Sequence, residues 1–107
     1  MNWYENLYVG KTAKKKKDRL IRRLESGRTA KDAWLITLPQ GPANQLEILS
    51  ALNLRFWYKN RECPMIIGIA GSKEEAIELL LEITEDVLRR TQNAGLRDFF
   101  TQSTVHQ

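Results

Sequence analysis

The stretch MIIGIAGSKEE, residues 65–75, decides the fold class of this 107-residue chain. Residues 65–70 form an almost unbroken apolar run, which is typical of a strand that is covered on both faces. Ser72 and Glu75 then match the S-x-x-E capping box, so a helix is predicted to begin at Lys73. A buried strand that leads directly into a helix predicts an α/β (or α+β) fold.

The segments before this unit extend it into a small sheet. A strand is predicted over 33–38, where apolar and β-favouring residues cluster, and a helix over 51–59 with Ser50 as its N-cap. Residues 46–49 alternate in polarity, so they either form a short strand or begin that helix, and we favour the strand. The strands at 33–38 and 65–70 are predicted to run parallel through a right-handed crossover. This gives a two- to three-stranded sheet with at least one parallel pair and the order α-β-(β)-α-β-α.

Two longer helices flank these strands in the sequence. The first is predicted over 12–26, with Thr12 as a candidate cap, Gly27 as the stop and only a narrow apolar stripe. The second runs from Lys73 to near Asn93. Its apolar residues are predicted to cover the sheet: Ala76, Ile77, Leu79, Leu80, Leu81, Ile83, Val87 and Leu88.

Length and hydropathy favour one domain, over residues 1–100, followed by a flexible tail at 101–107. No apolar run approaches the roughly 18 residues that cross a bilayer, so no membrane partner is predicted. The first ten residues lack the pattern of a signal peptide, which predicts a cytoplasmic protein.

Positive charge is concentrated near the start of the chain. Between Lys11 and Asp32 there are ten basic and three acidic residues, a local net charge of +7, whereas the whole chain carries +4. The rest of the chain is therefore net negative, so one basic helix and one acidic helix are predicted. The candidate contact surface consists of eight residues: Lys11, Lys14, Lys15, Lys16, Lys17, Arg19, Arg22 and Arg23.

Three interpretations of the basic segment 11–31 remain open at this point. The favoured one is association with a protein partner or a second copy of the chain, whose acidic helix would complement it. The alternative is nonspecific nucleic-acid binding, in which Trp3, Tyr4 and Tyr8 would stack on bases. In the third, the segment is a solvated face that keeps the domain in solution.

The sequence predicts no cofactor at the turn after residue 70. A phosphate-binding P-loop requires the pattern G-x-x-x-x-G-K-[ST]. Counted from Gly68, Lys73 stands where the second glycine is required, and Glu74 follows it. A turn with only Gly68 and Gly71 also falls short of a dinucleotide fingerprint. We therefore interpret Ser72 as capping the helix itself, although a small-molecule or nucleotide-binding enzyme stays a further alternative.

The titratable residues give no pattern of an active site. Cys63 and His106 are single residues, which predicts neither a metal site nor an activated nucleophile. The carboxylate pairs formed by Glu82 with Glu78 and with Asp86 have i, i+4 spacing, which is common on any solvated helix. No catalytic residue is predicted.

Four motifs together resemble a family of small uncharacterised bacterial proteins. They are YVG at 8–10, ITLP at 36–39, IIGIAGSKEEAIELL at 66–80 and GLRDFF at 95–100. The resemblance covers nearly the whole chain and implies one intact domain. It implies no activity.

Overall fold

A computed structural model describes residues 2–28, 30, 32–39, 45–53, 64–91 and 99–100. Within these ranges the protein has a four-stranded mixed sheet with helices on both faces. The strands, given in chain order, are β1 (Trp3–Val9), β2 (Trp34–Thr37), β3 (Glu47–Ser50) and β4 (Ile66–Ala70). The helices are α1 (Lys11–Lys14), α2 (Lys17–Glu25) and α3 (Lys73–Thr91), and a 3-10 turn spans Ala51–Asn53. Across the sheet the strand order is β1-β4-β2-β3.

Strand β1 is the element that the sequence analysis missed, so the prediction of two to three strands is wrong in number. It pairs parallel with β4, with Tyr8 opposite Gly68, and it supplies the parallel pair of the sheet. Trp3 packs on one side of the sheet and Tyr8 on the other. Both sides of β1 are covered, and the polar residues Glu5 and Asn6 stand between its apolar residues. The strand therefore shows no alternation of apolar and polar residues.

The predicted parallel pairing of the segments 33–38 and 65–70 is also wrong, because β2 and β4 are antiparallel. The segment 46–49 does form a strand, and β3 pairs antiparallel with β2 as a hairpin. This hairpin reverses the chain before the connection to β4. Consequently β3 and β4 run in the same direction on either side of β2, and the crossover joins those two strands.

The cap predicted for the first helix is wrong, because α1 begins at Lys11 after Gly10 and no described side chain caps it. The helix predicted over 12–26 is interrupted at Lys15 and Lys16, where four consecutive lysines place like charges within one turn. Helix α2 ends at Glu25, and Gly27, two residues later, has a φ of 79°. Beyond it, the N–H of Arg28 donates to the carbonyl of Arg23 at 2.9 Å, as in a Schellman motif.

Other predicted segments are described only in part. The N–H of Leu52 donates to the Ser50 hydroxyl at 3.2 Å, as expected of a cap, and the helix predicted over 51–59 is described as far as Asn53. Helix α3 begins at Lys73 as predicted. The remainder of 51–59, the predicted helix end near Asn93 and the predicted tail at 101–107 lie outside the described residues.

The sheet separates two hydrophobic clusters. The cluster on the α1–α2 side consists of Ala13, Leu20, Leu24, Ala30, Ala33, Leu35, Ala51, Ile66 and Ile69. The cluster on the α3 side consists of Tyr4, Ile36, Leu46, Met65, Ile67, Ala70, Ala76, Leu79, Ile83, Val87 and Phe100. The basic helices and the acidic helix therefore cover opposite faces of one sheet.

Helix α3 buries fewer apolar residues than its sequence predicts. Ala76, Leu79, Ile83 and Val87 are buried against the sheet. Three other members of the predicted apolar set are instead exposed: Ile77, Leu81 and Leu88. A single helix buries only the row that faces the sheet, and these three side chains lie outside that row.

Candidate functional site: the basic surface of α1 and α2

The basic helices are held to the sheet by a few small and aliphatic side chains. Ala13 is fully buried, and Leu20 and Leu24 are nearly so. The remaining sides of both helices are available to carry charge. Six of the eight predicted contact residues are exposed and Lys16 and Lys17 are half-buried, so we call the set Lys11, Lys14, Lys15, Lys16, Lys17, Arg19, Arg22 and Arg23 the basic surface.

The arginines of α2 converge around one shallow, open depression. It is lined by Arg19, Arg22, Arg23, Ser26 and Arg28. Arg28 was absent from the predicted contact residues because it follows the helix. Gly27 was the available signal, since a glycine with positive φ after a helix turns the next residue back towards the last turn.

Carboxylates divide the basic surface. Asp18 and Glu25 are exposed at the two ends of α2, and Lys16 lies 3.9 Å from Asp32. The indole N–H of Trp3 donates to Glu25 Oε1 at 2.7 Å, which fixes this aromatic ring beside α2. The surface is therefore positive overall, with negative charges at defined places.

The other two N-terminal aromatic residues do not accompany the basic surface. Tyr4 is buried on the α3 side of the sheet, where its ring meets that of Phe100 edge-on with centroids 4.9 Å apart. The Tyr8 hydroxyl donates to Asp86 Oδ2 on α3. Burial, together with this hydrogen bond to a carboxylate, raises the pKa of Tyr8 well above its usual range. Of the three aromatics considered for base stacking, only Trp3 is on the correct side.

The turn from β4 to α3 binds a carboxylate of the chain itself. Glu75 accepts hydrogen bonds from the Thr12 N–H at 2.6 Å, from the Thr12 hydroxyl at 2.7 Å and from the Gly71 N–H. The N–H of Glu75 in turn donates to the Ser72 hydroxyl at 3.1 Å, which confirms that half of the capping box. A Cβ at Gly71 would collide with Thr12 Oγ1, so glycine permits this close approach.

These hydrogen bonds determine the ionisation of Glu75. Partial burial opposes ionisation, but the bonds from Thr12 and Gly71 outweigh it and lower the pKa of the carboxyl below its ordinary value. In α/β sheets an anionic ligand commonly binds where parallel strands end and helices begin. Here β1 and β4 end side by side, and Glu75 occupies the donors that a phosphate would use.

The acidic side chains of α3 beyond Glu75 are either exposed or paired with neighbouring side chains. No cluster of three or more His, Cys, Asp or Glu residues suited to a metal ion is found in the part of the chain that the structure describes. Cys63 and His106 lie outside the described residues. Glu78 and Glu82 are exposed on α3, while Asp86 is engaged by Tyr8 and lies 3.5 Å from each of two arginines. No helix in the described ranges is long and apolar enough to cross a membrane.

Comparisons of the chain with models of protein families, with curated proteins and with solved structures each find no match. The resemblance based on the YVG, ITLP and IIGIAGSKEEAIELL motifs therefore stays an expectation.

Proposed function

We propose that this protein is a non-enzymatic binding domain that associates with an acidic protein partner through the basic surface of α1 and α2. The observation that supports the proposal is that the apolar and the charged residues of these helices lie on different sides. One narrow side holds them to the sheet through Ala13, Leu20 and Leu24, and the exposed remainder carries lysine and arginine. Charge on such a surface accelerates encounter with an oppositely charged partner and orients it.

The mixed charge pattern favours a protein partner over a uniform polyanion. Asp18 and Glu25 stand at the ends of α2 and would repel a continuous phosphate backbone there. A protein surface can place its own lysine or arginine opposite these two carboxylates, and such complementarity gives specificity. Tyr4 and Tyr8 lie on the opposite side of the sheet. Only one of the three rings considered for base stacking is therefore on the side of the basic surface.

Nucleic acid is the second candidate, and the arginine depression favours it. Guanidinium groups match phosphate oxygens in a bidentate geometry, and four arginines line this depression. If each displaces one counterion from a single strand, the logarithm of the association constant should fall with the logarithm of salt concentration with a slope of about −3. Loss of Arg22 alone should reduce that slope by about 1 in magnitude.

Fluorescence anisotropy with two labelled probes tests both candidates. The probes are a glutamate-rich peptide that also carries lysine and a single-stranded oligonucleotide, each titrated at low and at physiological salt. The test variant carries Arg19→Gln and Arg22→Gln, and the matched control carries Lys73→Gln and Arg90→Gln, which removes two exposed positive charges from α3 instead. We expect the test variant to lose peptide binding and the control to keep it.

The outcomes separate the two candidates. Tighter binding of the oligonucleotide than of the glutamate–lysine peptide, with the steep salt dependence above, would replace the protein partner by nucleic acid. Equal loss of binding in the test and control variants would mean that only net charge matters. That result would contradict a contact surface on α1 and α2.

A further inference from the structure

Helix α3 presents a stripe of apolar residues that the sheet does not cover. Ile77, Leu81 and Leu88 are 46%, 61% and 47% exposed, and Thr84 lies between the last two. Their spacing of four, three and four residues is the a/d repeat by which helices pack against each other in coiled coils. Exposed apolar side chains that form one continuous stripe indicate a contact surface, whereas scattered ones need no explanation.

The position of the stripe on α3 follows from helical geometry. At 100° per residue, the centre of the stripe lies about 125° around the helix from the centre of the buried row of Ala76, Leu79, Ile83 and Val87. Asp86, which binds Tyr8 of the edge strand β1, projects from the other side of the helix, roughly 170° from the stripe. The stripe therefore points away from the sheet and towards its β2–β3 side, so a second helix can lie against α3 without displacing the sheet.

The charges beside the stripe favour a second copy of the chain in antiparallel orientation. In this orientation Ile77 of one copy lies opposite Leu88 of the other. Measured along the helix axis, Arg89 of the first copy then lies between Glu74 and Glu78 of the second. All three charged residues lie on the same side of the stripe, so opposite charges meet at both ends of the helix pair. In a parallel pairing, each charged residue would lie level with the same residue of the other copy, so like charges would meet.

We propose that two copies of this protein associate through the stripe Ile77, Leu81, Thr84 and Leu88 of α3, packed antiparallel about a twofold axis. The contact is isologous and closes at two copies. The two sheets then lie on the outer sides of the helix pair, so both basic surfaces stay exposed. Four stripe residues per copy make a small interface, so we expect monomer and dimer to exchange with concentration.

Sedimentation equilibrium of the full chain, over concentrations up to about 1 mM, tests the proposal. We expect the mean mass of the unmodified protein to rise from one copy towards two. Leu81→Glu should raise the dissociation constant at least about tenfold, because it places a charge in the middle of the contact. Leu81 is the most exposed of the stripe residues, so thermal unfolding of this variant should remain close to that of the unmodified protein.

A charge reversal provides a second test that does not depend on the apolar residues. In the antiparallel register Glu85 of one copy comes within about two residues of the level of Glu78 in the other, and the like charges repel. Glu85→Lys should therefore lower the dissociation constant by about threefold to tenfold. Glu82→Lys is the matched control, because it makes the same charge change on the same helix about 130° from the stripe.

Three results would overturn the proposal. One is a single-copy mass for the unmodified protein at all concentrations. Another is an unchanged dissociation constant for Leu81→Glu. The third is equal strengthening by Glu85→Lys and Glu82→Lys, which would mean that association follows net charge and does not involve the stripe.

Discussion

Replacement of Glu75 by glutamine should destabilise the fold, because Glu75 ties together segments that are far apart in sequence. Its carboxylate accepts three hydrogen bonds, from the N–H and hydroxyl of Thr12 and from the N–H of Gly71. Hydrogen bonds to a charged group contribute about 1.5–3 kcal/mol each when they are fully buried. Glu75 is half-exposed and water can replace a lost partner, so we expect a total loss of about 1–2 kcal/mol, comparable to removal of a helix cap.

Thermal and urea unfolding of two variants would measure this contribution. For a domain of this size the expected loss corresponds to a fall in Tm of roughly 4–8 °C. Glu74→Gln is the matched control, because it removes an exposed carboxylate from the same first turn of α3. That control loses only the interaction with the helix dipole, about 0.3–1 kcal/mol. If Glu75→Gln costs no more than Glu74→Gln, the hydrogen bonds to Thr12 do not stabilise the fold.

The same contribution should depend on pH in a defined direction. The pKa of Glu75 lies below its ordinary value of 4.5 in the folded protein, so the folded state binds a proton more weakly than the unfolded state does. The extra stability is fully present above pH 4.5 and is lost as the pH falls through the folded pKa. The gap in unfolding free energy between the unmodified protein and Glu75→Gln should therefore be constant near neutral pH and shrink in acid. A gap that widens below pH 4.5 would contradict this sign.

Three further predictions concern folding stability and are measured by urea unfolding. Thr37 is fully buried and its hydroxyl has no hydrogen-bond partner among the described residues, so Thr37→Val should stabilise the fold by about 1–2 kcal/mol; destabilisation would contradict this. Gly27→Ala should cost only about 1 kcal/mol for its positive φ, since its added Cβ meets no atom of the described ranges within 4 Å, whereas Gly71→Ala should cost more because it collides with Thr12; equal costs would refute this ranking. Glutamine at all four lysines of 14–17 should change stability by less than about 1 kcal/mol, and unfolding of this variant would make the lysines structural.

The sequence predicted those parts of the fold that depend on neighbouring residues. The strand at 65–70 has a continuous apolar run, the start of α3 has Ser72 as a cap, and the end of α2 has Gly27. In each case the signal and the structure lie within a few residues of each other. Local propensity, capping and turn chemistry are sufficient for such features.

The features that were missed depend on partners far along the chain. Strand β1 exists because β4, some 60 residues later, provides its pairing edge and both helical layers cover it. The direction of β2 depends on whether the segment 46–49 forms a hairpin with it, which the sequence left open. The hydrogen bonds of Glu75 could not be predicted for the same reason. The partner of Glu75 is Thr12, 63 residues away, and no local pattern connects the two.

The arrangement of the two charged faces limits how copies of this chain can assemble. The basic surface and the acidic helix α3 cover opposite sides of the sheet. If the basic surface of one copy met α3 of another, the contact would be heterologous, each copy would keep one free surface of each kind, and association would continue into a ring or a filament. Antiparallel packing of α3 against α3 instead closes at two copies and leaves both basic surfaces free. The two proposed contacts are therefore compatible with each other, because a dimer formed through α3 leaves both basic surfaces available to acidic partners.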